Sequence, residues 1–183
     1  MDDLEPNLLL TDTTPLRGSD AVAALLVLED GRYLLQERDR RPGIWYPGHW
    51  GLFGGAVEPG ESMTEALLRE LAEEIELVPS RPAVLFTRLD FDLTPLSHER
   101  FYRQYFVVAV DAQECAALRL HEGRQVRAFS AAEIFGGLRV TPYDSFALWL
   151  HAARGRLGGG GFDGQAGTGA RQELPGRAGA GAP

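Results

Sequence analysis

The sequence predicts an α/β chain of the mixed (α+β) kind, with a mixed β-sheet covered by helices. Apolar runs rich in β-branched and aromatic residues come in pairs joined by turn residues, the mark of hairpins. Stretches with a helical apolar period separate these pairs. Hairpins that alternate with helices exclude a purely parallel, doubly wound sheet. The 183 residues, 44% apolar and 24% charged, suit one domain with one core.

Residues 1–19 read as an N-terminal arm, where Leu8-Leu9-Leu10 offers an apolar patch to a neighbouring surface or to the second subunit of a homodimer. The expected domain is 20–154. Runs 21–29 and 33–37 flank Asp30-Gly31, a strong hairpin signal. Residues 39–48 carry two prolines and two glycines and read as a loop, and 49–53 as a short strand leading into Gly54-Gly55. Ser62 and Glu65 form a capping box for a helix over 63–75, with Leu67, Leu68, Leu71 and Ile75 on its apolar face. Strands follow at 83–91 and 101–110, separated by Pro95-Leu96-Ser97, and a short strand at 125–129. Helices start at Ser130 and at Thr141, the latter with Pro142 in the first-turn position, and the last helix, 142–153, is expected to bury Phe146, Trp149 and Leu150. Residues 155–183 hold 11 of the 22 glycines without apolar periodicity and read as a disordered tail.

The formal charge is 18 minus 26, or -8, and all 18 cations are Arg. That balance excludes a wrapper of nucleic acid polymers and a polybasic membrane binder. Cys115 is the single cysteine, so a disulfide scaffold and a cysteine-rich zinc site are excluded. No apolar run is long enough to span a bilayer, and the Met-Asp-Asp start lacks the basic character of a signal peptide. A cytoplasmic location is expected.

The chemistry concentrates in 55–77. On a helical wheel with Glu70 at zero, Glu73 falls at about -60° and Glu74 at about +40°, so three carboxylates share one arc. That arc borders the apolar face. Like charges this close call for compensation, and an all-oxygen site without His or Cys suits Mg²⁺ or Mn²⁺. An ordinary solvated helix, with Glu65–Arg69 and Arg69–Glu73 pairs, is the competing account.

The spacing of the whole segment decides between them. It runs Gly55, five residues, Glu61, seven residues, Arg69-Glu70-Leu71, one residue, then Glu73-Glu74. In this spacing the chain resembles the Nudix hydrolase family. The resemblance implies an α/β/α sandwich with a loop-helix-loop catalytic motif, and metal-dependent hydrolysis of a phosphoanhydride in a nucleoside diphosphate linked to another group. Glu70, Glu73 and Glu74 are then the implied metal ligands, with the Gly54 carbonyl. Arg69 and Glu61 are implied to pair and hold them. Glu74, Glu70 and a later loop carboxylate are alternative bases. The family pattern has glycine where this chain has Glu76, which leaves the helix exit open. Trp50-Gly-Leu-Phe-Gly-Gly55 is similar to the lead-in of MutT-like nucleoside triphosphate hydrolases, with Phe53 in place of their proline. Nucleoside triphosphates are therefore the first expected substrates, ahead of nucleotide sugars. A nucleotide-sensing module without hydrolysis is the alternative from another class.

Outside the motif, Glu122 is the expected loop carboxylate, because Gly123 permits a tight turn, while Glu114 has helical surroundings and Glu133 a capping partner in Ser130. Glu99 is its rival. Tyr46, Trp50 and Trp45 are placed either to stack on a nucleobase or to pack. Arg88 and Arg103 are candidates to reach phosphates from strands. His49, His98, His121 and His151 show no metal-ligand spacing.

Overall fold

The structure is a computed structural model and describes residues 21–92 and 100–157. The N-terminal arm, Glu99, His98 and most of the glycine-rich tail lie outside the described residues. Strand β1 (Ala21–Leu28) turns at Asp30-Gly31 into β2 (Tyr33–Glu37) and pairs with it antiparallel, Leu26 opposite Leu34. Gly31 takes φ 81°, as this tight turn demands. After the 38–49 loop, β3 (Trp50–Gly51) pairs with the far half of β2. Helix α1 (Met63–Ile75) follows, then β4 (Val84–Asp92) and β5 (Arg100–Val110), an antiparallel pair. The chain ends with α2 (Ala112–Ala117), β6 (Gln125–Phe129), α3 (Ala131–Phe135) and α4 (Pro142–Leu157).

The sheet runs β3-β2-β1-β5-β4, with β6 also on β2. It is mixed because β5 lies parallel to β1 from Ala21–Arg103 to Leu28–Val110. Strand β6 occupies the whole length of one edge of β2, so β1 and β3 must share the other. Beyond their junction the chain wedges against β1: Ala24 N–H donates to the Phe53 carbonyl and Val22 N–H to that of Gly55, both at 2.9 Å. Of the strand expected over 49–53, only Trp50 and Gly51 are in regular pairing; Phe53 makes an isolated bridge to Ala24.

Strand alternation divides the core. Val22, Ala24, Leu26, Leu34, Phe106 and Val108 face α1, where they meet Leu67, Leu71 and Ile75. Ala23, Leu25, Leu35 and Tyr105 face α3 and α4. This is the expected α/β/α sandwich, and β1, buried on both faces, is accordingly an unbroken apolar run. Cys115 is partly buried against the α1-side core.

Two apolar faces differ from expectation. Leu68 is exposed, because it lies at the far end of the α1 apolar arc, while Ala66 and Glu74 take up the sheet-facing strip. On α4, Phe146 and Trp149 are 49% and 47% exposed and Leu150 is only partly buried. Tyr143, Asp144, Ala147, Leu148 and His151 face inward instead. The two polar members turn inward because they have partners across the interface. Asp144 accepts from Leu52 N–H and Thr141 O–H, at 3.0 and 2.7 Å. His151 accepts from Arg154 at Nε2, which assigns the proton to Nδ1 and makes the ring a donor to the Tyr33 hydroxyl at 2.8 Å. Burial pulls the imidazole pKa down to about 4, so it is neutral. Helix α4 continues three residues past the expected domain limit of 154, to Leu157. The helical surroundings expected for Glu114 are the short α2, which Asp111 and Glu114 cap reciprocally.

Candidate active site

Helix α1 starts where its capping box places it: Glu65 N–H donates to Ser62 Oγ, and Ser62 N–H to the Glu65 carboxylate. Glu65 is thereby engaged at the cap. Arg69 gathers the rest of the segment. Its Nε and one terminal nitrogen grip both oxygens of Glu61, at 3.0 and 3.1 Å. The same nitrogen donates to the Ala56 carbonyl at 2.9 Å, and the other reaches Glu70 at 2.9 Å and Glu73 at 3.3 Å. One planar guanidinium thus ties the loop to the helix. It draws the Glu61 carboxyl below the usual range.

Glu74 is buried at the edge of the sheet. Its Oε2 accepts from Gly54 N–H at 2.9 Å and its Oε1 from the Gln36 amide at 3.2 Å. Burial nevertheless pushes its carboxyl up to about 7, and the nearby charges of Glu70 and Glu122 add to the rise. Burial likewise raises Glu70, against the pull of Arg69 and with Glu73 and Glu122 adding to it. Glu70 lies against the backbone of Gly55, where a Cβ would fall 2.4 Å from Glu70 Oε1. At Gly54, φ is 126° and a Cβ would meet the Val22 carbonyl at 2.3 Å. Two glycines therefore let the backbone run directly beneath the carboxylates.

Glu73 turns outward to Arg69 and does not join this pair closely. Among the described residues no three His, Cys, Asp or Glu side chains already converge as a metal cage. The donor set still fits a hard divalent cation. Glu70 and Glu74 are raised by burial and, in smaller part, by neighbouring carboxylates, the glycine cradle leaves space only for backbone, and all donors are oxygens. Glu122 is exposed on the 118–124 loop, close enough that its charge acts on both. It lines a small cleft with Gln36, Arg38, Asp39, Ile44 and Gly123.

The helix exit, left open by Glu76, takes the usual form without glycine. Glu76 adopts φ 55° and ψ 28°, its N–H bonds the Ala72 carbonyl, and Leu77 N–H bonds that of Leu71. A side chain in this left-handed region costs roughly 1–2 kcal/mol.

The remaining candidates fall elsewhere. Arg103, expected to reach phosphate, is instead buried beside Asp144, 3.5 Å away, with the rings of Tyr105 and Tyr143 within 5.6 and 5.3 Å. Burial opposes its charge, but Asp144 offsets this and holds the guanidinium above its ordinary value. Trp50 packs edge-on against Phe129, with centroids 4.6 Å apart, and so belongs to the α4-side core. Tyr46, at φ 52°, makes edge contacts with His49 and Tyr143. Trp45 offers its carbonyl to Arg38 Nε at 2.7 Å. Arg88 is exposed on β4, opposite Gln104. Gln36 and Asp144 were missed from sequence. The signal for Gln36 was a polar side chain at a strand position that alternation directs at α1.

Fold and site together define an α/β/α sandwich whose distinctive surface is a loop-helix-loop bearing buried carboxylates. The family model for the NUDIX domain matches residues 19–149, and the chain belongs to that family. Over 50 residues it is 50% identical to the nucleoside triphosphatase NudI of Escherichia coli O1:K1 / APEC, a stretch that makes up 27% of this chain. The chain spans only 35% of the length of NudI in that match. It is similar in structure to the MutT protein from Methanosarcina mazei Go1, at 26% identity and TM-score 0.62, covering 75% of this chain and 94% of that one. The NUDIX domain of Shewanella oneidensis NrtR complexed with ADP ribose shares the fold, at 21% identity and TM-score 0.60, covering 81% and 96%.

Proposed function

We propose that the chain is a divalent-metal-dependent pyrophosphohydrolase that cleaves a phosphoanhydride bond in a nucleoside diphosphate linked to another group, with nucleoside triphosphates as its first substrates. The observation that carries this reading is the pair Glu70–Glu74, both raised by burial beside a glycine backbone, with Arg69 shared among Glu61, Glu70 and Glu73 and making no bond to Glu74. Glu70 and Glu74, with Glu73 and the Gly54 carbonyl, would hold Mg²⁺ or Mn²⁺. The cation supplies charge neutralisation of phosphate oxygens and acidification of water. Arg69 and Glu61 fix the orientation of the carboxylates. Water adds to phosphorus, the anhydride P–O bond breaks, and a carboxylate of this set takes the water's proton; no covalent intermediate is needed. Glu74, Glu70 and Glu122 are the three candidates for that carboxylate.

The 50-residue likeness to a nucleoside triphosphatase supports triphosphates over nucleotide sugars. The test is a panel of both classes assayed with Mg²⁺ for phosphate, pyrophosphate and nucleoside monophosphate. Release of pyrophosphate and monophosphate from a triphosphate is the expected result. Turnover of nucleotide sugars alone would transfer the substrate assignment, and tight binding without turnover of any compound would make the chain a nucleotide sensor.

A further inference from the structure

We propose that Glu76 and His121 form a latch that holds the 118–124 loop, and with it Glu122, against the carboxylate helix. Both are positioning residues, and the inference rests on the metal site proposed above. The loop lies across the C-terminal end of α1, where the last carbonyls of a helix lack internal partners. Arg119 N–H bonds the Ile75 carbonyl at 3.1 Å and His121 N–H that of Glu74 at 2.8 Å. The loop is thereby bonded to the backbone of a candidate metal ligand. The side chains then add a contact of their own: His121 Nε2 lies 2.6 Å from Glu76 Oε1. On its other flank the loop is fixed to β2. Arg124 N–H bonds the Glu37 carbonyl at 2.8 Å, and a Cβ on Gly123, at φ 81°, would meet Gln36 Oε1 at 2.6 Å. Gln36 is itself the donor to Glu74.

Glu76 is therefore more than a poor substitute for glycine. It occupies a left-handed position that glycine adopts without strain, and in exchange its side chain reaches the residue next to Glu122. Both side chains of the contact are about half exposed, and exposed ion pairs add little to stability. Its effect must then lie in where the loop sits, and Glu122 is the loop group whose charge reaches Glu70 and Glu74.

Glu76→Gly separates position from stability. At one fixed pH its melting temperature should equal or exceed the parent's. Its Mn²⁺ affinity, titrated on the nucleotide-free protein, should fall about 10-fold, as for other residues that orient ligands. The Mg²⁺ concentration for half-maximal turnover should rise in step, and the amide of residue 121 should exchange faster. Glu76→Gln keeps an acceptor for the imidazole and should bind Mn²⁺ as the parent does. His121→Ala should match Glu76→Gly, and the double variant should be no worse than either. Unchanged Mn²⁺ affinity in Glu76→Gly and His121→Ala, or losses that multiply in the double variant, would overturn the latch. Glu70→Gln serves as the control: if its affinity falls while the latch variants are silent, the latch alone fails. If Glu70→Gln is also silent, the metal site itself is misplaced.

Discussion

On the α4 side of the sheet, Arg103 and Asp144 bury opposite charges together; on the α1 side, the buried Glu74 has another carboxylate, the partly buried Glu70, beside it. Both faces carry ionisable groups into places where water does not reach freely, but only one matches them from within. Asp144 adds bonds to Leu52 and Thr141, so it fastens the start of α4 to the chain just past β3. Arg69, the cation of the α1 side, is divided among Glu61, Glu70 and Glu73 and makes no hydrogen bond to Glu74. A buried pair of opposite charge holds elements of the fold together, whereas the carboxylates of α1 have the charge that the proposed cation would offset.

The comparison breaks most readily at Asp144. Asp144→Ala leaves the Arg103 guanidinium buried without its counter-ion and should cost about 3–5 kcal/mol in urea unfolding. A loss below 1 kcal/mol, on the order of an exposed pair, would mean that the two faces do not differ. The opposite sign is expected across the sheet. Glu74→Gln should lower turnover by about 10²-fold or more, equivalent to about 2.7 kcal/mol, yet leave the metal-free protein as stable as the parent or more so. Glu122→Gln should preserve stability and raise the Mg²⁺ requirement.

Titration sharpens the contrast further. Glu74 has an ordinary value of 4.5 and stands at about 7 in the fold, so its stabilising contribution is present below pH 4.5 and lost as pH rises through 7. His151, ordinarily 6.5 and about 4 in the fold, contributes stability above pH 6.5 that is lost as pH falls through 4. In the metal-free parent the two slopes oppose one another where the windows overlap. Glu74→Gln should remove the Glu74 slope and leave that of His151, which raises the urea midpoint from pH 4 to 6.5. His151→Gln should remove the His151 slope and leave that of Glu74, which lowers the midpoint from pH 4.5 to 7 and which saturating Mg²⁺ should flatten. Identical profiles in the two variants would refute both assignments. The smallest effect is local: Ser62→Ala, which removes a cap without touching either charged group, should cost about 1 kcal/mol with turnover per folded molecule retained.

Helix α1 was legible to the residue because everything that defines it is local: the capping box, the apolar period and the glycines before it. The β1–β2 hairpin was legible for the same reason, through Asp30-Gly31. Helix α4 was placed well, but its face was misjudged, because Asp144 and His151 are welcome inside only through partners more than ninety residues away in the chain. Arg103 looked like a phosphate ligand until Asp144 came to lie beside it. The left-handed exit at Glu76 was hidden because its compensation sits on another loop.

The short strand β3 rejoins β2 after a loop whose neck is closed by backbone bonds, Arg38 N–H to the His49 carbonyl at 2.9 Å and Gly48 N–H to that of Arg38 at 3.1 Å. With the neck closed in this way, changes confined to the exposed residues 41–43 are expected to leave the register of Gly54 beneath the carboxylates undisturbed. Variation in this turn is thus separable from the geometry of the carboxylate helix.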